Sequence, residues 1–263
     1  MDNESVMQGV DFLQQSSSEP MSLPSGKIVV IDAGFGNVGS VLNALEVLGA
    51  EAQLSREPDA LRAADALILP GVGSFADGMR QLESLGLIPI LNDCVITSGK
   101  PFLGICLGMQ LLAKHGEEGG GAEGLGWIDA SVVRFAASDD FSDGYGTESE
   151  TGSQKLLKIP HVGWNDVETM VNDPILGEKG SRHTYYFVHS YHLRVSNPAL
   201  AIGMCDYGEP FPAVIRKQNI WGMQFHPEKS HRAGLRLLAN FLQQMKPAHG
   251  VNPAPSPTGM PPC

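Results

Sequence analysis

The chain has 263 residues, enough for one large α/β core or two small ones, and its 42% hydrophobic and 18% charged side chains are ordinary for a soluble globular protein. With 29 acidic against 18 basic side chains the formal charge is −11, which repels a phosphate backbone and argues against nucleic acid as a partner. No apolar run approaches the roughly 20 residues of a membrane helix, and Cys94, Cys106, Cys205 and Cys263 lie far apart without a CxxC pair, so neither a zinc site nor a disulfide framework is signalled.

Residues 1–25 read as a flexible N-terminal extension, without the basic and apolar regions of a secretory signal; a reducing cytoplasm is the expected compartment. One domain is expected over 26–246. It opens with KIVVID, a β-branched apolar run of the kind buried on both faces of a sheet. GFGNVGS then leads into VLNALEVLGA, where Val41, Leu42, Leu45 and Leu48 recur at helical spacing and Gly49 supplies the stop. AQLS and ADALILP are the next strands, the latter breaking at Pro70-Gly71-Val72-Gly73 before a helix over FADGMRQLESLG. PFLGI is another buried strand, running straight into Cys106 and a helix expected over LGMQLLAKH. Alternating strands and helices predict an α/β fold, a single three-layer domain around a central, mostly parallel sheet.

Beyond Phe135 the composition turns acidic and rich in Ser and Gly, so about 136–155 reads as a surface insertion. KIPHVGWNDV, TYYFVHSYHL, LAIGMCDYG, FPAVIRKQ and IWGMQFHPE read as shorter strands, LRLLANFLQQM as a closing helix and 247–263 as a disordered Pro-rich tail. His183 and His192 are expected on the surface or in loops.

Gly104-Ile105-Cys106-Leu107-Gly108 has the form of a nucleophile elbow with Cys in place of Ser: small residues two before and two after let the chain turn sharply and expose the sulfur. The thiol then stands at a helix N-terminus, where the dipole favours thiolate, and the Leu107 amide points to where an oxyanion would form. A base is offered by His226 in Gln224-Phe225-His226-Pro227-Glu228. In extended backbone His226 and Glu228 project to one side, so that the carboxylate can orient the imidazole. A buried structural Cys and a lone core His are the bland readings; the flanking glycines and the pairing with HPE count against them.

PGVGSF, GICLGMQLL, PHVGWN, YFVHSYH and QFHPEKS together resemble the class I (triad) glutamine amidotransferases, of flavodoxin-like fold, over nearly all of 27–243. More narrowly, PGVGSF, PHVGWN and HPEKS resemble the glutaminase subunits of imidazole glycerol phosphate synthase, of histidine biosynthesis. The resemblance implies a Cys106-His226-Glu228 triad and oxyanion donors at Val72 and Leu107. It implies recognition of L-glutamine at Gly73, Gln110, Ser190 and Tyr191. It further implies a heterodimer with a (β/α)₈ cyclase subunit whose interface includes Trp164, Tyr186 and Lys229, and a reaction with no metal or organic cofactor. Gln110 is also plausible on geometry, one helical turn after the nucleophile.

Three other readings compete. Gly34-Phe35-Gly36-Asn37-Val38-Gly39 satisfies GxGxxG between a strand and a helix, as in a dinucleotide-binding module, and Arg56 would suit a 2′-phosphate. That reading leaves the Cys elbow and HPE unexplained. An inactive scaffold would require a missing triad member, and none is missing; an amidotransferase serving another acceptor shares the same motifs.

Overall fold

The structure is a computed structural model in which residues 25–135 and 158–245 are described. Apart from Ser25, the expected N-terminal extension, acidic insertion and Pro-rich tail lie outside the described residues.

Strand β1 (Ile28–Ile31) is buried on both faces, as its unbroken apolar run requires. It is followed by α1 (Val38–Val47), capped by the Asn37 side chain on the Ser40 amide. Next come β2 (Ala52–Ser55), α2 (Pro58–Ala63), β3 (Ala66–Gly71) and α3 (Phe75–Ser84), the last capped by Ser74. Helix α4 (Leu87–Leu91) runs into a π-helical turn (Asn92–Thr97) before β4 (Phe102–Cys106). The one-turn α5 (Leu107–Gln110) follows without a break.

The remaining elements are the short strands β5 (His115–Gly116) and β6 (Ala122–Glu123), then β7 (Ala130–Arg134), β8 (His161–Thr169), β9 (Arg182–His189), β10 (Tyr191–Val195), β11 (Ala201–Tyr207), β12 (Glu209–Lys217) and β13 (Ile220–Met223). Helix α6 (His231–Leu242) closes the described chain.

A nine-stranded sheet has the order β2-β1-β3-β4-β13-β12-β11-β8-β9, and a smaller four-stranded sheet the order β10-β7-β5-β6. The large sheet is parallel from β2 to β13 and antiparallel from β13 to β9. The expected mostly parallel sheet thus describes the half that carries the Cys elbow, and an antiparallel extension makes the whole sheet mixed. Successive strand residues face opposite sides, so β1 divides between two cores. Ile28 and Val30 join Val41, Leu45 and Phe241 on one side, while Val29 and Ile31 join Phe75, Leu82 and Leu91 on the other. These are the three layers that the alternating elements predict.

Three local expectations are corrected and one helical segment is added. The helix after Cys106 does not extend through LGMQLLAKH but stops at Gln110. The carbonyls of Leu111, Leu112 and Ala113 accept instead from the amides of Leu125, Ile128 and Gly126, so a neighbouring segment takes the bonds that helix continuation would use. TYYFVHSYHL is not one strand: β9 pairs with β8 in the large sheet, and β10 pairs with β7 in the small one. The chain changes sheets at Ser190. The segment over 87–97 is helical as well: Leu87, Ile90, Leu91, Cys94 and Val95 are buried at helical spacing, a pattern that Pro89 masks in the sequence. His192 is not at the surface but 3% exposed and stacked on Phe135, their ring centroids 4.5 Å apart; His183 is exposed on β9, as expected.

Candidate active site

The nucleophile elbow forms at the C-terminal end of β4, in the parallel half of the sheet. Cys106 takes φ +54° and ψ −110°, a conformation costly for a residue with a side chain, of order 1–3 kcal/mol. The two glycines of the motif make the turn possible by close approach: a Cβ on Gly104 would lie 2.5 Å from the Gly108 carbonyl oxygen, and one on Gly108 would lie 1.9 Å from that of Leu69. The helix beginning at Leu107 spans one turn, so its dipole is smaller than a long helix would supply. Its first amides nevertheless have no intrahelical partners and face the same side.

His226 lies just past the end of β13, its amide bonded to the Tyr186 carbonyl at 2.9 Å. The two-residue spacing to Glu228 works through a turn rather than an extended strand: Pro227–Lys229 form a 3₁₀ turn, which brings Glu228 Oε1 to 2.8 Å from His226 Nδ1. Ser230 fixes this turn, its hydroxyl donating to the His226 carbonyl at 2.6 Å and accepting from the Tyr186 amide at 3.0 Å. Both side chains are almost completely enclosed, 3% and 1% exposed. Burial alone would depress the imidazole, but the adjacent Cys106 and the Glu228 carboxylate outweigh it and push His226 up to about 9. His226 Nε2 is buried without a hydrogen-bond partner among the described residues.

A cavity of about 230 Å³ opens onto the sulfur. Cys106, Leu107, Val72 and Gly73 line one side of it, and Ser190, Tyr191 and Gln110 another. Every oxyanion and glutamine-recognition position expected from the sequence therefore meets in one place. Gln110 is 4% exposed, and its Nε2 is committed to the protein, donating to the Tyr191 carbonyl at 2.9 Å and to Gln224 Oε1 at 3.1 Å. Only its Oε1 remains to accept from a ligand.

Three further lining residues, Glu118, Val188 and His189, were not singled out from the sequence. Among the described residues Glu118 is the one carboxylate lining the cavity. Its Oε2 accepts from the Phe75 amide at 3.0 Å, and burial raises its pKa above the usual carboxylate value. Its only sequence signal is its place in an acidic pair after the elbow, which does not distinguish it from surface carboxylates.

Outside the cavity, Trp164 is 49% exposed. It stacks on His231 with centroids 5.0 Å apart and meets Tyr186 edge-on at 5.8 Å. Lys229 and His231 line a shallow groove beside them, so the three expected interface residues occupy one neighbourhood. Val162 and Val188 are cross-strand partners next to Trp164 and Tyr186 on β8 and β9. Both are exposed, as is Val72; Val188 and Val72 line the cavity, so exposed apolar side chains run from its edge toward Trp164. In the glycine loop of the dinucleotide reading Gly36 lies against Pro70 while Gly34 and Gly39 are exposed, and Arg56 is paired with Asp32 at 2.5 Å.

The family description "Glutamine amidotransferase class-I" matches residues 29–245. The chain is 42% identical over 216 residues to "Imidazole glycerol phosphate synthase subunit HisH 2" of Pseudomonas aeruginosa, covering 82% of this chain and 98% of that protein. It is 45% identical over 215 residues to "Imidazole glycerol phosphate synthase subunit HisH" of Desulfitobacterium hafniense, covering 81% and 92%. Among solved structures it resembles PurLQS from Thermotoga maritima with a TM-score of 0.61 at 18% identity, covering 86% of this chain and all of that one, a likeness of fold.

Proposed function

Because the chain belongs to the class-I glutamine amidotransferases, we propose that it is the glutaminase subunit of an imidazole glycerol phosphate synthase in histidine biosynthesis. The observation that carries the reading is the buried His226–Glu228 pair beside Cys106, whose sulfur opens onto a cavity with a carboxylate on its wall. The Cys106 thiolate attacks the side-chain carboxamide carbon of L-glutamine. The Leu107 and Val72 amides hold the developing oxyanion, with Val72 supplied by the loop after β3. His226 gives its proton to the departing nitrogen, the C–N bond breaks, and ammonia leaves. Water, activated by the now neutral imidazole, hydrolyses the γ-glutamyl thioester to glutamate. Glu118 suits the ammonium of the amino acid, and Gly73, Ser190, Tyr191 and Gln110 Oε1 suit its remaining polar groups.

The exposed apolar patch around Trp164, Tyr186 and Lys229 is the surface for a (β/α)₈ cyclase subunit. Docking there covers the mouth and passes ammonia to a second site, where imidazole glycerol phosphate and aminoimidazole carboxamide ribotide form. The names of the relatives, each a synthase subunit, support a partner of this kind. Among the described residues Cys94, Cys106 and Cys205 are free thiols, which suits a reducing cytoplasm.

Glutamate release from glutamine, measured for the chain alone and with a cyclase subunit and its nucleotide ligand, tests the assignment. Turnover is expected to need the partner and to fall about 10⁴- to 10⁶-fold in Cys106→Ala, by analogy with other triads, while the complex of that variant still uses free ammonia. A Cys106→Ala enzyme within tenfold of wild type would overturn the triad; cleavage only with a different acceptor enzyme would overturn the pathway.

A further inference from the structure

The cavity wall contains a set of buried polar side chains that the triad does not use, and their hydrogen bonds have a fixed direction. The Tyr191 carbonyl can only accept, so Gln110 must turn its Nε2 toward it, at 2.9 Å. The second hydrogen of that amide goes to Gln224, at 3.1 Å, so Gln224 must present Oε1 there and its own Nε2 elsewhere. That Nε2 lies 3.8 Å from Cys106 Sγ, within reach of a hydrogen bond to sulfur. Gln224 is completely buried and has no route to water.

A second arm meets the same carbonyl from the other side. His189 Nδ1 donates to the Tyr191 carbonyl at 2.8 Å, which leaves Nε2 to accept from His161 Nδ1 at 3.1 Å. His161 Nε2 in turn accepts from Asn165 Nδ2 at 3.4 Å, and Asn165 Nδ2 also donates to the Asp206 carbonyl at 2.9 Å. The Asn165 Oδ1 is occupied by the Asp166 amide at 2.8 Å, so the outer end has the same forced direction. Burial holds both imidazoles neutral, His161 near 4 and His189 near 3, as the two tautomers require.

Resting on the glutaminase reading, we propose that the Tyr191 carbonyl is a shared anchor for two hydrogen-bond arms with separate tasks. Gln110 and Gln224 form one, which aims an N–H donor at the Cys106 thiolate. His189, His161 and Asn165 form the other, which holds the Ser190–Tyr191 side of the glutamine cradle in place. Gln224 touches the reacting sulfur; His161 and Asn165 are positioning residues. The charged or titratable groups beside the sulfur or lining its cavity are His226 with Glu228, and Glu118, His189 and Tyr191; among these and Gln224, the Gln224 amide is the neutral N–H placed 3.8 Å from the sulfur.

The two arms predict a split. Gln224→Met and Gln224→Leu both remove the donor without adding a charge or a new donor beside the sulfur. Each should slow alkylation of Cys106 by iodoacetamide at neutral pH by about tenfold or more, the effect of losing a hydrogen bond to a charged group. Both should recover in alkaline buffer, lower kcat in the partner complex to a similar extent and leave KM within about threefold. Asn165→Asp cannot donate to His161 and so reverses its tautomer. It should raise KM for glutamine about tenfold and leave alkylation within about twofold of wild type. Alkylation at the wild-type rate in both Gln224 variants, or an Asn165→Asp enzyme with unchanged KM, overturns the proposal. Alkylation needs neither glutamine nor partner, so slowed alkylation in a protein that never cleaves glutamine would sink the glutaminase reading and leave the Gln224 arm standing.

Discussion

Replacing Glu228 with Gln removes one negative charge from a site that is 1% exposed and leaves the side-chain size unchanged. The carboxylate Oε1 is 2.8 Å from His226 Nδ1 and helps to hold the imidazole at about 9 against burial. With that charge gone, the Cys106 sulfur alone opposes desolvation, and the imidazole falls toward its ordinary 6.5. A fall to about 7 would reduce the imidazolium fraction at pH 8 from roughly 90% to roughly 10%, with almost no change at pH 6. If proton transfer from imidazolium to departing ammonia governs turnover, the wild-type to variant ratio should widen about tenfold between those pH values.

The same pair bears on stability. Its folded-state value is raised above 6.5, so its contribution is complete below about pH 6.5 and lost as pH rises through about 9. Melting temperature in the wild type should decline over that window more steeply than in Glu228→Gln. The variant should also be less stable throughout by about 1–3 kcal/mol, since Glu228 Oε2 has no hydrogen-bond partner among the described residues and an amide there would be buried unsatisfied. Glutamate release by the partner complex from pH 6 to 9.5, beside thermal melts, checks both. Superimposable pH profiles would refute the argument that the carboxylate sets the charge of the imidazole.

Glu118→Gln should raise KM for glutamine by about ten- to a hundredfold with kcat nearly unchanged, because it weakens a charge-assisted contact made equally in ground and transition states; steady-state kinetics of the complex decide this. Gly108→Ala would place a methyl 1.9 Å from the Leu69 carbonyl in a central strand. Thermal melts should show it destabilised by about 1–3 kcal/mol or more, with glutaminase activity lost through displacement of the elbow. Trp164→Ala should weaken partner affinity by about 2 kcal/mol, read by titration calorimetry, and shift the melting temperature of the free chain little, because the indole is half exposed.

What was legible in the sequence is what is local to it. The elbow, the HPE turn and the glycine-rich stretch at 70–73 each place functional atoms within a few residues, and buried strands announce themselves as unbroken apolar runs such as IVVI. The short α5 was not legible, because LGMQLLAKH has helical composition and only the segment at 124–128 takes its carbonyls away. The geometry of Glu228 was misread because Pro227 starts a turn where period-two alternation suggested a strand. Glu118, Gln224 and the His161–His189 pair are polar residues whose meaning depends on partners 28 to 118 positions away, as in the His161–His189 and Gln224–Cys106 bonds. His192 was misplaced for the same reason: nothing near it in sequence signals that Phe135 covers it.

The left-handed φ of Cys106 means that selection for a folded chain and selection for a working one favour different residues at this position. Glycine would relax the turn, so a lineage released from the need to cleave glutamine would lose its nucleophile first, and with a gain in stability. Descendants that retain only a docking role should therefore carry Gly at 106 while Gly104 and Gly108 persist, since the close approach of strand, turn and helix constrains those two regardless of chemistry.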